Sequence, residues 1–128
     1  MSKLYQQAKY WQFFVMLALY TWAGLTANPG TTLASANDLA LHFAGYVIAG
    51  IAIGLHRPAL AFGWQFAFLF SYSFGIECLQ HFLPYRTFDL LDLLANGAGI
   101  LVGLALYRWP VKAIDTWLSR LIAPSPEA

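Results

Sequence analysis

Residues 71–103 read SYSFGIECLQHFLPYRTFDLLDLLANGAGILVG. An apolar run enters this stretch and another leaves it. Between them stand Glu77, Gln80, His81, Arg86, Asp89, Asp92 and Asn96. The chain has only six acids, and three of them lie here. Charges and amides are costly in hydrocarbon, so such a cluster inside an apolar sequence is read first as a functional site.

The surrounding composition sets the class. At 128 residues the chain fits one domain. Charged residues make up 10% and hydrophobic residues 59%, against about 25% charged in a typical soluble domain. Too little charge is present to cover a water-facing surface, so the expectation is an integral membrane protein. A net charge of +1 gives no reason to expect nucleic acid. The single cysteine, Cys78, cannot form an internal disulfide and is read as a small buried apolar group.

Four apolar runs follow one another: Tyr10–Leu25, Leu39–Leu55, Ala59–Leu79 and Leu90–Tyr107. Each is near the ~20 residues needed to span ~30 Å of hydrocarbon, and unpaired backbone groups are excluded there, so the runs must be helical. The expected fold is all-α, a bundle of four transmembrane helices over residues 1–108, with a cytoplasmic amphipathic helix and tail over 109–128. The first run is aromatic-rich and no small-x-small site follows it directly, which reads as a retained helix rather than a removed signal peptide. Asn28-Pro29-Gly30 is turn chemistry, and Ser35 or Asn37 can cap the second helix. In the tail, Val111, Ile114, Trp117, Leu118, Leu121 and Ile122 fall on one helical face, with Lys112, Asp115, Ser119 and Arg120 on the other. That pattern predicts an interfacial helix with Pro110 in its first turn, ended by Pro124 and Pro126. With four spans and an inside amino terminus, Lys3, Lys9, Arg57, Arg108, Lys112 and Arg120 lie inside and only Arg86 outside.

Under that topology the polar residues gather at one membrane face. Positions four apart share a side of a helix. Asp38, His42, Tyr46, Gly50 and Gly54 form a stripe on the second helix; Asp89, Asp92, Asn96, Gly99 and Gly103 form another on the fourth. Each is polar at its outer end and glycine at its inner end, and glycines at this spacing let backbones approach. Ser73, Glu77 and His81 give the third helix a matching stripe.

The array His42…Tyr46, Glu77-x-x-Gln80, Pro84-x-Arg86, Asp89-x-x-Asp92, Asn96-x-x-Gly99-x-x-x-Gly103 resembles the VanZ-like family over roughly Asp38 to Gly103. A Lys that often follows the family's first Asp is Leu39 here. The resemblance implies an envelope-facing protein of the bacterial plasma membrane; the multi-pass topology with both termini cytoplasmic is the expectation from the apolar runs and the basic residues. The family's namesake is linked to resistance to the glycopeptide teicoplanin. A reaction is not implied.

Glu77, His42 and Asp92 are the candidate catalytic residues, because burial beside lipid raises a carboxyl pKa and lowers an imidazole pKa. The plainer alternative is that they neutralise Arg86 or bond neighbouring helices. Arg86 can take a phosphate or carboxylate bidentately; alternatively it pairs with Glu77, Asp89 or Asp92. Asp89, Gln80, Asn96, Asp38 and Tyr46 complete the candidate substrate-binding set, with Gln80 and Asn96 as orienting groups. Asp89, Asp92 and Glu77 with His42 could hold a divalent cation: an imidazole suits Mn or Zn, all-oxygen ligation Mg or Ca. Ser71 and Ser73 carry no nucleophile motif. Two classes stay open, an enzyme acting on a lipid-linked or envelope anionic substrate, and a membrane protein that binds a headgroup, an envelope precursor or a partner protein without chemistry. A transporter is a poorer third, since the polar residues occupy only one half of the bundle.

Overall fold

The computed structural model describes residues 2–26 and 36–122. Among the described residues all regular structure is helical: α1 (Ser2–Leu25), α2 (Ala36–His56), α3 (Phe62–Gln80), α4 (Leu90–Leu106) and α5 (Lys112–Ile122), with a π-turn at Tyr107–Val111 joining α4 to α5. The polar segment before Tyr10 continues the first helix rather than preceding it. Asn37 falls inside α2 instead of capping it. The turn at Asn28-Pro29-Gly30, the alternative cap Ser35 and the terminal prolines lie outside the described residues.

The bundle is built on contact between α2 and α4. The pairs His42–Asn96, Tyr46–Gly99, Gly50–Gly103 and Gly54–Tyr107 advance together along both chains, so these helices run parallel. Their backbones touch. A Cβ at Gly103 would overlap the Val47 carbonyl oxygen, and one at Gly99 the carbonyl oxygen of Phe43. Only glycine allows that approach, which brings two helices into van der Waals contact over several turns. Ala49, Ile53, Ile100 and Leu104 close the core around the seam.

Two further helices run the other way. In α1, Gln12 donates to the Ala52 carbonyl at 2.9 Å and Tyr20 to that of Gly45 at 2.7 Å, an antiparallel register with α2. Helix α3 returns from the Arg57 end, where Gln65 donates to the Arg57 carbonyl at 2.8 Å, to the Gln80 end, where the amide donates to Gly24 at 2.8 Å. Tyr72 and Thr21 lie 2.9 Å apart, and Tyr72 donates to Leu17, which fastens α3 to α1.

These hydrogen bonds bear on the expected number of crossings. Among the described residues two helices are long and apolar enough to cross a membrane, Asp38–His56 and the continuous Leu90–Ile122; the expectation of four is corrected to two. Helices α1 and α3 fall short because their sequences carry the amides, phenols and hydroxyls that bind neighbouring helices: Gln65, Ser73, Glu77 and Gln80 of α3 are all buried. The exterior is nonetheless rich in large apolar side chains, among them Trp11, Ile48, Trp64, Phe68 and Leu94, as a membrane setting requires.

The tail departs from expectation in another way. Pro110 does not begin a new helix; it sits inside the π-turn, and the Lys112 N–H bonds the Tyr107 carbonyl five residues back. Proline lacks an N–H and crowds the carbonyl four residues earlier, and a wider turn accommodates both defects without ending the helix. Asp115 turns inward, accepting from Lys9 at 2.9 Å and Tyr5 at 2.8 Å, while Ile114, Trp117 and Leu121 stay exposed.

The glycine seam gives a direct test. Gly103→Leu meets backbone, which cannot swing aside, and should lower stability by about 1–3 kcal/mol or more. Gly75→Ala enters open space on α3 and should raise stability by roughly 0.5–1 kcal/mol. Thermal unfolding in detergent measures both; equal melting temperatures for wild type and Gly103→Leu would remove the seam from its central role.

Candidate functional site

The parallel register of α2 and α4 brings both helix starts to the same end of the bundle. Asp89 caps α4, its carboxylate accepting from the Leu91 N–H at 2.8 Å, a standard way to satisfy a first-turn donor. Asp92 stands in the first turn, and its Oδ2 lies 3.5 Å from Nε2 of His42 on α2. The other ring nitrogen, Nδ1, is 3.0 Å from the Asn96 side-chain oxygen, and the Asn96 amide donates to Ser73 Oγ at 2.8 Å. One hydrogen-bonded chain therefore links α2, α4 and α3.

Glu77 lies one turn beyond Ser73 on α3 and is 1% exposed. The Asp89 N–H approaches its Oε2 at 3.5 Å, a long contact. Burial raises the Glu77 carboxyl above its ordinary pKa, and the Asp89 N–H and His42 pull it part of the way back. Gln80 is held away from reaction by its bond to Gly24.

Arg86 reaches the site from the segment between α3 and α4. Its guanidinium faces the last carbonyls of α1, at 3.5 Å from Ala23 and 3.4 Å from Thr26, while Tyr85 donates to Leu25 at 3.0 Å. The end of a helix leaves such carbonyls without intrahelical partners. Arg86 forms no ion pair among the described residues, and its Nε is buried with no hydrogen-bond partner. Of the two roles open to Arg86, an internal pair with Glu77, Asp89 or Asp92 is not formed.

Two neighbouring cavities occupy this end. One, about 240 Å³, is lined by Glu77, Tyr46 and Asn96 together with residues of α1, and the other, about 370 Å³, by Asp89, Asp92 and the segment around Pro84. Asp38, His42, Gln80 and Arg86 border both. All nine candidate residues thus line one cavity or the other. His81, grouped by spacing with Ser73 and Glu77, is exposed and lines neither, because α3 ends at Gln80. Cys78 is half-buried.

Helix α1 contributes Tyr20, Ala23 and Gly24 to the wall of the first cavity. Sequence reasoning missed them, since an apolar run with no charge offers no signal beyond the hydroxyl of Tyr20. The expected cation set also changes. Asp38, His42 and Asp92 each place one ligand atom within 4.8 Å of the others and could coordinate a divalent ion; Glu77 and Asp89 are not part of that group.

Comparison with known proteins adds one positive finding. No curated protein and no solved structure matches the chain. A family model described as VanZ/LLP1 matches residues 4–112, which extends the likeness from the polar array to most of α1 and to the π-turn. With most of its length matched, this membrane protein belongs to the VanZ/LLP1 family.

Proposed function

We propose that the cavities at this end receive the anionic group of a lipid-linked or cell-envelope molecule. The observation that carries the reading is Arg86: a half-buried guanidinium bordering both cavities, with an unpartnered Nε and no carboxylate paired to it among the described residues. A planar fork of that kind takes a phosphate or carboxylate in two hydrogen bonds. Gln80 and Asn96 hold the walls, Asp89 fixes the start of α4, and Tyr46 and Asp38 shape the floor and rim. In the catalytic form of the reading, Glu77 and His42 exchange protons with the bound molecule and Asp92 positions His42.

A recognition site without chemistry is the second reading. It is favoured by the use made of Ser73, the serine of the network, which is fully buried and already accepts from Asn96. The positive-inside tendency puts the end bearing Arg57, Arg108, Lys112 and Arg120 at the cytoplasmic face of a bacterial plasma membrane, and the cavities at the opposite face. Both ends of the described chain then lie on the cytoplasmic side. A divalent cation on Asp38, His42 and Asp92 would add positive charge beside Arg86 and draw an anion in further.

Arg86→Lys keeps the charge and loses the fork. Its affinity for a polyprenyl phosphate in detergent should fall about tenfold, the scale of one charge-assisted hydrogen bond, with the melting temperature unchanged; equal affinity removes Arg86 from the site. An ionised Glu77 repels an anion and a protonated one does not. Because its pKa is raised, wild-type affinity should climb as pH falls from neutral toward that raised value, and Glu77→Gln should flatten this component. A pH profile unchanged in the variant rules out Glu77 as the titrating group. Manganese or zinc, titrated alone and counted by elemental analysis, should bind once per chain in wild type and at least tenfold more weakly in His42→Ala and Asp92→Asn. Absence of stoichiometric binding eliminates the cation.

A further inference from the structure

A second polar feature lies at the far end of the bundle, outside the cavities and independent of their reading. Arg108, Lys112, Thr116 and Arg120 are spaced four apart, and Trp109, Ala113 and Trp117 form the adjoining stripe at the same interval. Together they line one shallow surface groove along the π-turn and α5. We propose that this groove is a binding site for anionic phospholipid headgroups, with the three cations on the phosphate and the two indoles at the level of the glycerol backbone.

The first argument is charge. No acid lies within 4 Å of Arg108, Lys112 or Arg120 among the described residues. The one described acid of this helix, Asp115, is consumed on the opposite side by Lys9 and Tyr5 of α1. That contact also fixes the rotation of α5, so the basic stripe faces away from the bundle. Arg108 is steadied further by the Gln65 side-chain oxygen at 3.4 Å and by the Phe62 ring beneath it at 4.8 Å. Three cations are thus presented together with no internal counter-charge.

The second argument is the indoles. Trp109 is 88% exposed and Trp117 60% exposed, beside the cations rather than scattered. Indoles settle at the membrane–water boundary, where the ring is in an apolar layer and the N–H is wet. A soluble phosphate would satisfy the cations and leave both rings in water. A phospholipid satisfies both, and basic residues at this level attract anionic headgroups electrostatically.

The test uses the full-length chain, purified in detergent and exchanged into bilayer discs of phosphatidylglycerol and phosphatidylcholine in equal parts. Native mass spectrometry of the released protein counts retained lipids. Wild type should retain phosphatidylglycerol in clear preference, and the preference should fall as salt is raised. The variant Lys112→Gln/Arg120→Gln leaves the Arg108–Gln65 contact intact and should weaken retention about fivefold per charge removed; Arg108→Gln added to it should abolish the preference. Circular dichroism checks that each variant is folded. Equal retention of the two lipids by wild type, or an unchanged preference in the folded double variant, overturns the proposal. Complete displacement of phosphatidylglycerol by millimolar inorganic phosphate also overturns it, because the site would then be one for a soluble anion.

Discussion

The backbone contact between α2 and α4 is the constraint from which the rest of the molecule follows. It requires glycine at Gly99 and Gly103, where any side chain would strike a carbonyl of α2. Glycine in a helix costs roughly 0.5–1 kcal/mol in chain entropy, and the return is interhelical packing at the closest possible distance. The seam also acts as a ruler. At one end it sets His42 opposite Asp92 and Asn96. At the other it lays the Tyr107 ring over Gly54, where a Cβ would enter the ring. A slip of one residue along either helix would turn the glycines from the contact and the polar residues from each other.

The outer helices are attached by a different means. Gln12, Tyr20, Tyr72 and Gln80 each donate to a backbone carbonyl of a neighbouring helix, and Gln65 donates to that of Arg57, just past the end of α2. A carbonyl oxygen has a second lone pair for such a bond even where it already accepts one within its own helix or turn. Bonds of this type contribute on the order of 1 kcal/mol each in membrane proteins. They also decide how the sequence is read by hydropathy, since an amide that faces a neighbouring carbonyl lowers the score of its helix as much as one that faces lipid.

That explains which features were legible in the chain. Apolar run length located α2, α3 and α4 to within a few residues, because a helix end here coincides with Pro58, Pro84 or the capping Asp89. Spacing of four identified the His42–Asp92–Asn96 neighbourhood, since two parallel stripes with glycines below can meet in only one register. The number of membrane-crossing helices was overcounted, because run length was weighed without the polar residues inside α1 and α3. Pro110 was read as a helix start because a π-turn leaves no mark in composition. Arg86 reads from the sequence either as an anion site or as the partner of an acid, and the structure sets it against the carbonyls at the end of α1, groups with no charge and therefore no sequence signal.

The charges along the bundle agree with the directions of the helices. Helices α2 and α4 both start at the cavity end, so two positive dipole ends converge there, and Asp38 and Asp92 occupy their first turns. Helix α1 ends at the same place with its carbonyls exposed, and Arg86 sits on them. At the opposite end, the last turn of α2 carries His56, and Arg108 follows α4. Asp38, Asp92 and Arg86 therefore lie where the local backbone field favours their sign, whereas Glu77, in the last turn of α3, does not. Four acids, Asp38, Glu77, Asp89 and Asp92, and one arginine line the cavities. Asp89 is held by the Leu91 N–H and Asp92 lies beside His42, and among the described residues no carboxylate forms an ion pair with the Arg86 guanidinium.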